Sequence, residues 1–272
     1  MNKIQGLGFS PYLDGQNPDY GTQIPDDQIK SLISTVAPYT NWVRTYGCDS
    51  GLQNIGKFAK SAGLKVAAGA WISRDRNVND SQINSLISVV NSGNADIAIV
   101  GSEALLRNDL DVQSLIGYIE QVKRATNGKI PITTADTYAE YFKYPELIAA
   151  VDVLCAHIYP FWEGRSFGSS IQYVKDMYAA LLAKASGKTV WIGETGWPSA
   201  GQDVNAAHPS PDNAVQYFAD FVAWARPAGI NYFYFAFMDE NWKGKEGGVG
   251  PHWGIFNANA NGLKPGIQSV FK

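Results

Sequence analysis

A chain of 272 residues with 22 Lys plus Arg, 25 Asp plus Glu and a net charge of −3 has no basic footprint for nucleic acid and no polybasic face for anionic membranes. Its length allows roughly three quarters of the unfolded surface to be buried, so no staple is needed. Aromatic residues make up 12%, with 8 Trp and 14 Tyr, a balance suited to a neutral ligand with flat apolar faces.

Eight short apolar runs, at 5–12, 41–47, 65–73, 96–103, 131–137, 152–160, 189–198 and 231–240, read as strands. Helix patterns lie between them. Asp111 opens one in which Val112, Leu115, Ile116, Ile119 and Val122 share a face, and Gly63 and Gly128 sit where helices close. Ser210-Pro211 opens another, an N-cap followed by proline at the first helical position, with Val215, Phe218, Val222 and Ala225 on its apolar stripe. Strand–helix alternation predicts a parallel sheet, because parallel neighbours need a crossover. Eight repeats in about 250 residues fit a closed barrel, so the expectation is an α/β fold, one (β/α)8 TIM barrel over 1–272. An open doubly wound sheet is the alternative. The longest irregular stretches are 201–209 and 242–253.

Cys48 and Cys155 fall in or just after strand runs and are expected as free buried thiols. His157, His208 and His252 have no metal-ligand spacing, and no metal or cofactor is expected. No stretch approaches the roughly 20 apolar residues of a membrane span. Residues 1–5 lack a secretory apolar region, so the chain acts inside the cell or, if trimmed of a leader, in a secreted or periplasmic location. A monomer is expected.

Active sites of such barrels lie at the C-terminal strand ends. Those ends carry Tyr12, Arg44, Tyr46, Trp71, Glu103, Asp136, His157, Tyr159, Glu194, Trp197, Asp239 and Glu240, and the opposite ends carry nothing as reactive. Two runs end in Gly-x-Glu or Gly-Glu: Ile97-Ala98-Ile99-Val100-Gly101-Ser102-Glu103, and Val190-Trp191-Ile192-Gly193-Glu194-Thr195-Gly196-Trp197-Pro198-Ser199. Glycines permit close approach of backbone and ligand, and paired strand-end glutamates suit glycoside chemistry.

With these motifs on the fourth and seventh strands, the chain resembles glycoside hydrolase family 17, the β-1,3-glucanases and related glucan transglycosylases. Val43-Arg44-Thr45-Tyr46-Gly47 is similar to that family's second strand end, and His157-Ile158-Tyr159-Pro160-Phe161 to its sixth. Phe237-Met238-Asp239-Glu240-Asn241-Trp242-Lys243 and Trp253-Gly254-Ile255-Phe256 are similar to its eighth strand end and the segment after it. The resemblance implies Glu194 as nucleophile and Glu103 as acid/base of a retaining hydrolase acting on a β-glucan polysaccharide or oligosaccharide, without a cofactor. Tyr159 is then expected to donate to Glu194 and leave Glu103 with a raised pKa as the proton carrier. Arg44, Tyr46, Ser102, Asp136, His157, Trp197, Glu240 and Lys243 are the remaining candidates for substrate binding, with Trp197 as a wall or floor for a sugar ring. The aromatic residues Tyr138, Tyr141, Phe161, Trp162, Trp242 and Trp253 are candidates for holding an acceptor sugar.

One residue departs from the pattern. The family has asparagine before the acid/base, where it serves the 2-hydroxyl of the sugar being cleaved; here Ser102 stands there. Three consequences are open: β-1,3-glucan is still the substrate, with water or Asp136 serving the hydroxyl; the linkage is altered, as in β-1,2-glucan; or the chain is a weakly active glucan-binding module.

Overall fold

The computed structural model describes residues 2–244 and 248–272. Each apolar run coincides, to within two residues at its start, with a strand of four to six residues: β1 (Ile4–Gly8), β2 (Thr40–Arg44), β3 (Lys65–Ala70), β4 (Ile97–Ser102), β5 (Ile132–Thr137), β6 (Leu154–His157), β7 (Val190–Thr195) and β8 (Asn231–Tyr234). They pair in parallel in sequence order, and β8 closes on β1, giving a barrel with no free sheet edge. The runs overshoot the strands at their C-terminal ends, where the chain leaves the ladder and turns over the barrel mouth.

The crossovers are α1 (Asp26–Val36), α2 (Ile55–Ser61), α3 (Arg76–Asn91), α4 (Val112–Thr126), the short pair α5 (Tyr138–Lys143) and α6 (Pro145–Ala150), α7 (Phe167–Lys184) and α8 (Pro211–Ala225). The predicted caps form: Asp111 accepts from the Ser114 N–H and Ser210 from the Asn213 N–H, each satisfying an orphan donor. The α8 stripe is wider than its apolar spacing suggests, since Tyr217 and Phe221 are buried beside Phe218, Val222 and Ala225. After α4 the C-cap Asn127, at φ 51°, and Gly128 beyond it, at φ 62°, are both left-handed, so the predicted glycine closes the helix together with the asparagine before it. Among the described residues no α-helix follows β8. A 3₁₀ turn at Ile267–Phe271 fills that place, with Phe271 packed edge-on against Tyr39 at 5.0 Å. Cys48 and Cys155 are free and buried. Among the described residues no helix is long and apolar enough to cross a membrane.

The strand period of two fixes what fills the barrel. Trp42, Ala67, Ile97, Ile99, Ala135, Cys155, Trp191 and Phe233 form a separate apolar layer inside it, with Trp191 and Phe233 stacked at 5.0 Å and Trp42 edge-on to Trp191 at 4.9 Å. Their strand neighbours of opposite parity, such as Val43, Val66, Ala98, Ala156 and Ile192, face the helices in the larger core. Each fully buried side chain of this size contributes roughly 1.5–3 kcal/mol, so the barrel floor is rigid. One layer further up, the inward positions turn polar, and that is where the site lies.

Candidate active site

On β2, Trp42 belongs to the apolar layer and Arg44 stands above it, with Tyr46 next just past the strand end. Cys155 and His157 on β6, and Tyr159 just past it, follow the same parity. The carboxylates arrive by a different route. The pairing of β4 with β5 shifts register between Ile99 and Ser102, and that of β7 with β8 between Ile192 and Thr195. Such irregularities re-aim side chains. They turn Ser102 and Glu103 inward at one edge of the mouth and Glu194 at the opposite edge. Glu103 holds a left-handed backbone at φ 56°, which costs about 1 kcal/mol or more and is fixed by its N–H donating to the Ala135 carbonyl at 2.7 Å.

Oxygens of Glu103 and Glu194 and a ring nitrogen of His157 lie within 4.8 Å of one another. Arg44, fully buried, lies beneath them: Nη1 is 2.9 Å from Glu194 Oε1, 2.7 Å from the Gly193 carbonyl and 3.0 Å from His157 Nε2, and Nη2 donates to Ser102 Oγ at 2.9 Å. His157 Nδ1 is 2.7 Å from Glu103 Oε1. Tyr159 donates to Glu194 Oε2 at 2.8 Å, as expected from the sequence. Gly193 is required by this packing. A Cβ there would lie 2.9 Å from both Cys155 Sγ and His157 Cδ2, so Gly193→Ala is expected to destabilise the fold by about 1–3 kcal/mol and to displace His157. Denaturant unfolding checks the first effect and turnover the second; a variant as stable and active as the parent would contradict this packing.

The electrostatics correct one expectation. Burial pushes the Glu103 carboxyl up, but the hydrogen bond from His157 and the charges of Arg107 and Arg44 outweigh it and hold Glu103 below the ordinary glutamate range. Proximity of two carboxylates raises one of them only where no cation screens the pair, and here Arg44 sits against Glu194. An acid of lowered pKa is protonated only at lower pH. Activity on an unactivated glucan should therefore fall as pH rises from mildly acidic values, measured as kcat/KM against pH; full activity persisting above about pH 7 would contradict it. Burial and Glu194 together push the Tyr159 phenol well up, so it remains a donor.

A cleft of about 810 Å³ runs over the two carboxylates. Of the candidates, Tyr46, Ser102, Glu103, His157, Tyr159, Glu194 and Lys243 line it, with Tyr12, Trp71, Tyr138, Trp162, Trp242 and Trp253. The Tyr46 hydroxyl is buried in the cleft wall beside Glu194.

Four candidates do not face the cleft. Arg44 lies under the carboxylates and positions them. Asp136 is fully buried and accepts from the backbone N–H groups of Leu105 (3.0 Å) and Thr137 (2.8 Å), bracing the loop behind Glu103. Burial pushes Asp136 up to about 6, against the downward pull of those donors. It is one residue out of phase with inward-facing Ala135 and Thr137, so it cannot serve a sugar hydroxyl. Trp197 is 1% exposed, donates to the His208 carbonyl at 3.0 Å and packs on Phe161 and Tyr217 behind β7, so it is no sugar platform. Glu240 is buried beside the cleft and pairs with Lys243 and the Trp242 indole N–H. Tyr141 and Phe161 are likewise fully buried, Tyr141 donating to the Thr134 carbonyl. Residues 245–247 of the predicted irregular stretch lie outside the described residues.

Arg107 was missed. Its Nη2 donates to the Ile72 carbonyl at 3.0 Å, Nη1 to that of Ser102, and its guanidinium lies 4.4 Å from the centre of the Trp71 ring. It ties the loop bearing Glu103 to the end of β3 and holds a half-exposed indole along the cleft. The signal was an arginine four residues past the strand-end glutamate. Glu103, His157 and Glu194 have metal-ligand spacing, but the Arg44 guanidinium already occupies the Glu194 oxygen and His157 Nε2 that a cation would need. The donor set fits proton chemistry.

Two facing carboxylates at the C-terminal mouth of a (β/α)8 barrel, in a cleft lined by indoles and phenols, define a glycoside hydrolase. Residues 6–254 match the family described as the BtgE/BtgC glycoside hydrolase domain. A glucan 1,3-beta-glucosidase of Saccharomyces cerevisiae is 27% identical, over 99% of this chain and 94% of its own length. One of Schizosaccharomyces pombe is 30% identical over 88% of this chain and 80% of its own. The crystal structure of the family 17 beta-1,3-glucanosyltransferase of Rhizomucor miehei superposes with a TM-score of 0.84 at 32% identity, covering 97% of this chain and 96% of that one. The chain belongs to glycoside hydrolase family 17.

Proposed function

We propose that the protein cleaves, and by transfer re-forms, β-1,3-glucosidic bonds with retention of configuration, Glu194 being the nucleophile and Glu103 the acid/base. The observation that carries this is the approach of the two carboxylates within 4.8 Å. It fits the short spacing of about 5–5.5 Å between carboxyls in retaining enzymes and not the 6.5–9.5 Å of inverting ones. Glu194 attacks the anomeric carbon as Glu103 gives its proton to the departing glycosidic oxygen, leaving a glycosyl ester. Glu103, now a carboxylate, takes a proton from water or a sugar hydroxyl whose oxygen attacks the same carbon and frees Glu194.

The names of the relatives support β-1,3-glucan as the substrate. So does Ser102, whose Oγ accepts from Arg44 and keeps its own hydrogen for the free 2-hydroxyl of a β-1,3-linked sugar. Transfer is supported by Tyr138, Trp162 and Trp253 along the cleft, since aromatic faces hold an acceptor sugar against competing water. The complete carboxylate network weighs against a mere binding module. The groups named form a complete site within one chain and need no residue from a partner subunit.

Incubation with laminari-oligosaccharides and, separately, β-1,2-gluco-oligosaccharides, followed by mass spectrometry, tests the reading. Shortened β-1,3 products with some longer than the input are expected. Turnover of the β-1,2 series alone would overturn the linkage.

A further inference from the structure

Three segments meet behind the cleft wall at one largely buried ion pair. Lys264 Nζ lies 2.7 Å from Asp239 Oδ1, and it donates as well to Ser199 Oγ at 2.9 Å and to the His252 carbonyl at 3.4 Å. An ammonium has three donors, so each is placed. Asp239 Oδ1 accepts in turn from the Gly254 N–H at 2.9 Å. The carbonyl before Trp253 and the N–H after it are thus held by the two members of the pair. The Trp253 carbonyl accepts from the Ala236 N–H at 2.9 Å, and Gly254 leaves no room for a Cβ against the backbone of Met238 and Asp239. The Trp253 indole lines the cleft, its ring centre 5.4 Å from that of Tyr159, the donor to Glu194, and 5.6 Å from that of Trp162. Asp239 and Lys264 do not line the cleft themselves. Burial pushes the Asp239 carboxyl up and the Lys264 ammonium down, each against the pull of the other. A pair so desolvated is a weak source of stability, because removing two charges from water offsets their attraction. What its several attachments fix is position.

We propose that Asp239 and Lys264 are positioning residues that seat the Trp253 indole between Tyr159 and Trp162 and so favour a sugar over water as acceptor of the glycosyl group. This rests on the transfer reading above. In the second step the acceptor oxygen bonds to the anomeric carbon, its proton passes to Glu103, and the ester bond to Glu194 breaks. Water needs no wall to reach that carbon. A sugar must lay its ring against one, and a shift of the indole removes that support. The first step, attack by Glu194, depends on the two carboxylates and Arg44, to none of which the pair bonds. Loosening the pair therefore changes the partition between acceptors before it changes the first step.

The donor 2,4-dinitrophenyl β-laminaribioside with laminaritriose as acceptor separates the two steps. Release of dinitrophenolate at low donor concentration reports the first. The early ratio of laminaripentaose to laminaribiose, read by mass spectrometry, reports the partition. Lys264→Met combined with Asp239→Asn leaves no charge unpaired, so the double variant should fold, which thermal unfolding checks. It keeps an acceptor for the Gly254 N–H and loses the hold on the His252 carbonyl. Its kcat/KM for dinitrophenolate release should stay within about threefold of the parent, while the pentaose-to-biose ratio falls about tenfold, as a small misplacement of a binding group allows. Trp253→Ala should lower the ratio by a similar factor, and adding it to the double variant should lower it no further. An unchanged ratio, a first step lost by as much as the ratio, or losses that add to that of Trp253→Ala would overturn the proposal. A double variant unable to fold would make the pair a stability element and overturn it too. A parent that releases dinitrophenolate and makes no pentaose would instead overturn the transfer reading on which the proposal rests.

Discussion

Glu194→Gln is expected to abolish turnover of laminari-oligosaccharides, by at least about a thousandfold in kcat, because an amide cannot form the covalent glycosyl ester. The amide preserves the shape of the side chain and can still accept from Tyr159, so affinity for the oligosaccharide should change by less than about tenfold. Calorimetric binding beside initial rates separates the two quantities. A rate loss below about tenfold would remove Glu194 from the role of nucleophile. A binding loss as large as the rate loss would make it a ground-state contact instead.

Arg44→Met should have the largest effect on stability. The guanidinium lies 2.9 Å from Glu194, whose side chain is 9% exposed, and among the described residues no other Lys or Arg pairs with that carboxylate; it also serves the Gly193 carbonyl, Ser102 Oγ and His157 Nε2. Methionine fills much of the volume and serves none of them. Breaking a buried pair from one side leaves an uncompensated charge and costs about 3–5 kcal/mol, which denaturant unfolding should report. Activity should fall as well, since both glutamates lose their anchor. A cost below about 1 kcal/mol would mean that the carboxylate reaches water without Arg44. A double variant, Arg44→Met with Glu194→Gln, should recover part of the stability and none of the activity.

The barrel was legible because its signal is repeated eight times, and a parallel sheet with helical crossovers leaves little other topology. The reacting pair was legible because a glycine shortly precedes each glutamate at the end of an apolar strand run. Side-chain direction was harder to read. Parity along β2 and β6 places Arg44, Tyr46, His157 and Tyr159 inside, and parity along β5 places Asp136 outside, yet strand-end position alone ranked them together. Glu194 breaks parity with Trp191 and Gly193, and only the register shift near the end of β7 brings it in. The same shift sends Trp197 out toward α8, where Tyr217 packs on it. No sequence period announces such a shift. Nor does a sequence announce the lowered pKa of Glu103, which arises from His157, Arg107 and Arg44, residues that come from three different strand ends.

In the retaining mechanism Glu194 becomes covalently attached to the sugar. A 2-deoxy-2-fluoro laminaribioside with a dinitrophenyl leaving group slows both steps while still permitting attack, so the ester accumulates and survives proteolysis. Peptide mass mapping should find one laminaribiosyl adduct on the peptide containing Glu194, absent from Glu194→Gln. An adduct on any other residue, or complete turnover with release of the inverted sugar and no adduct, would contradict the account.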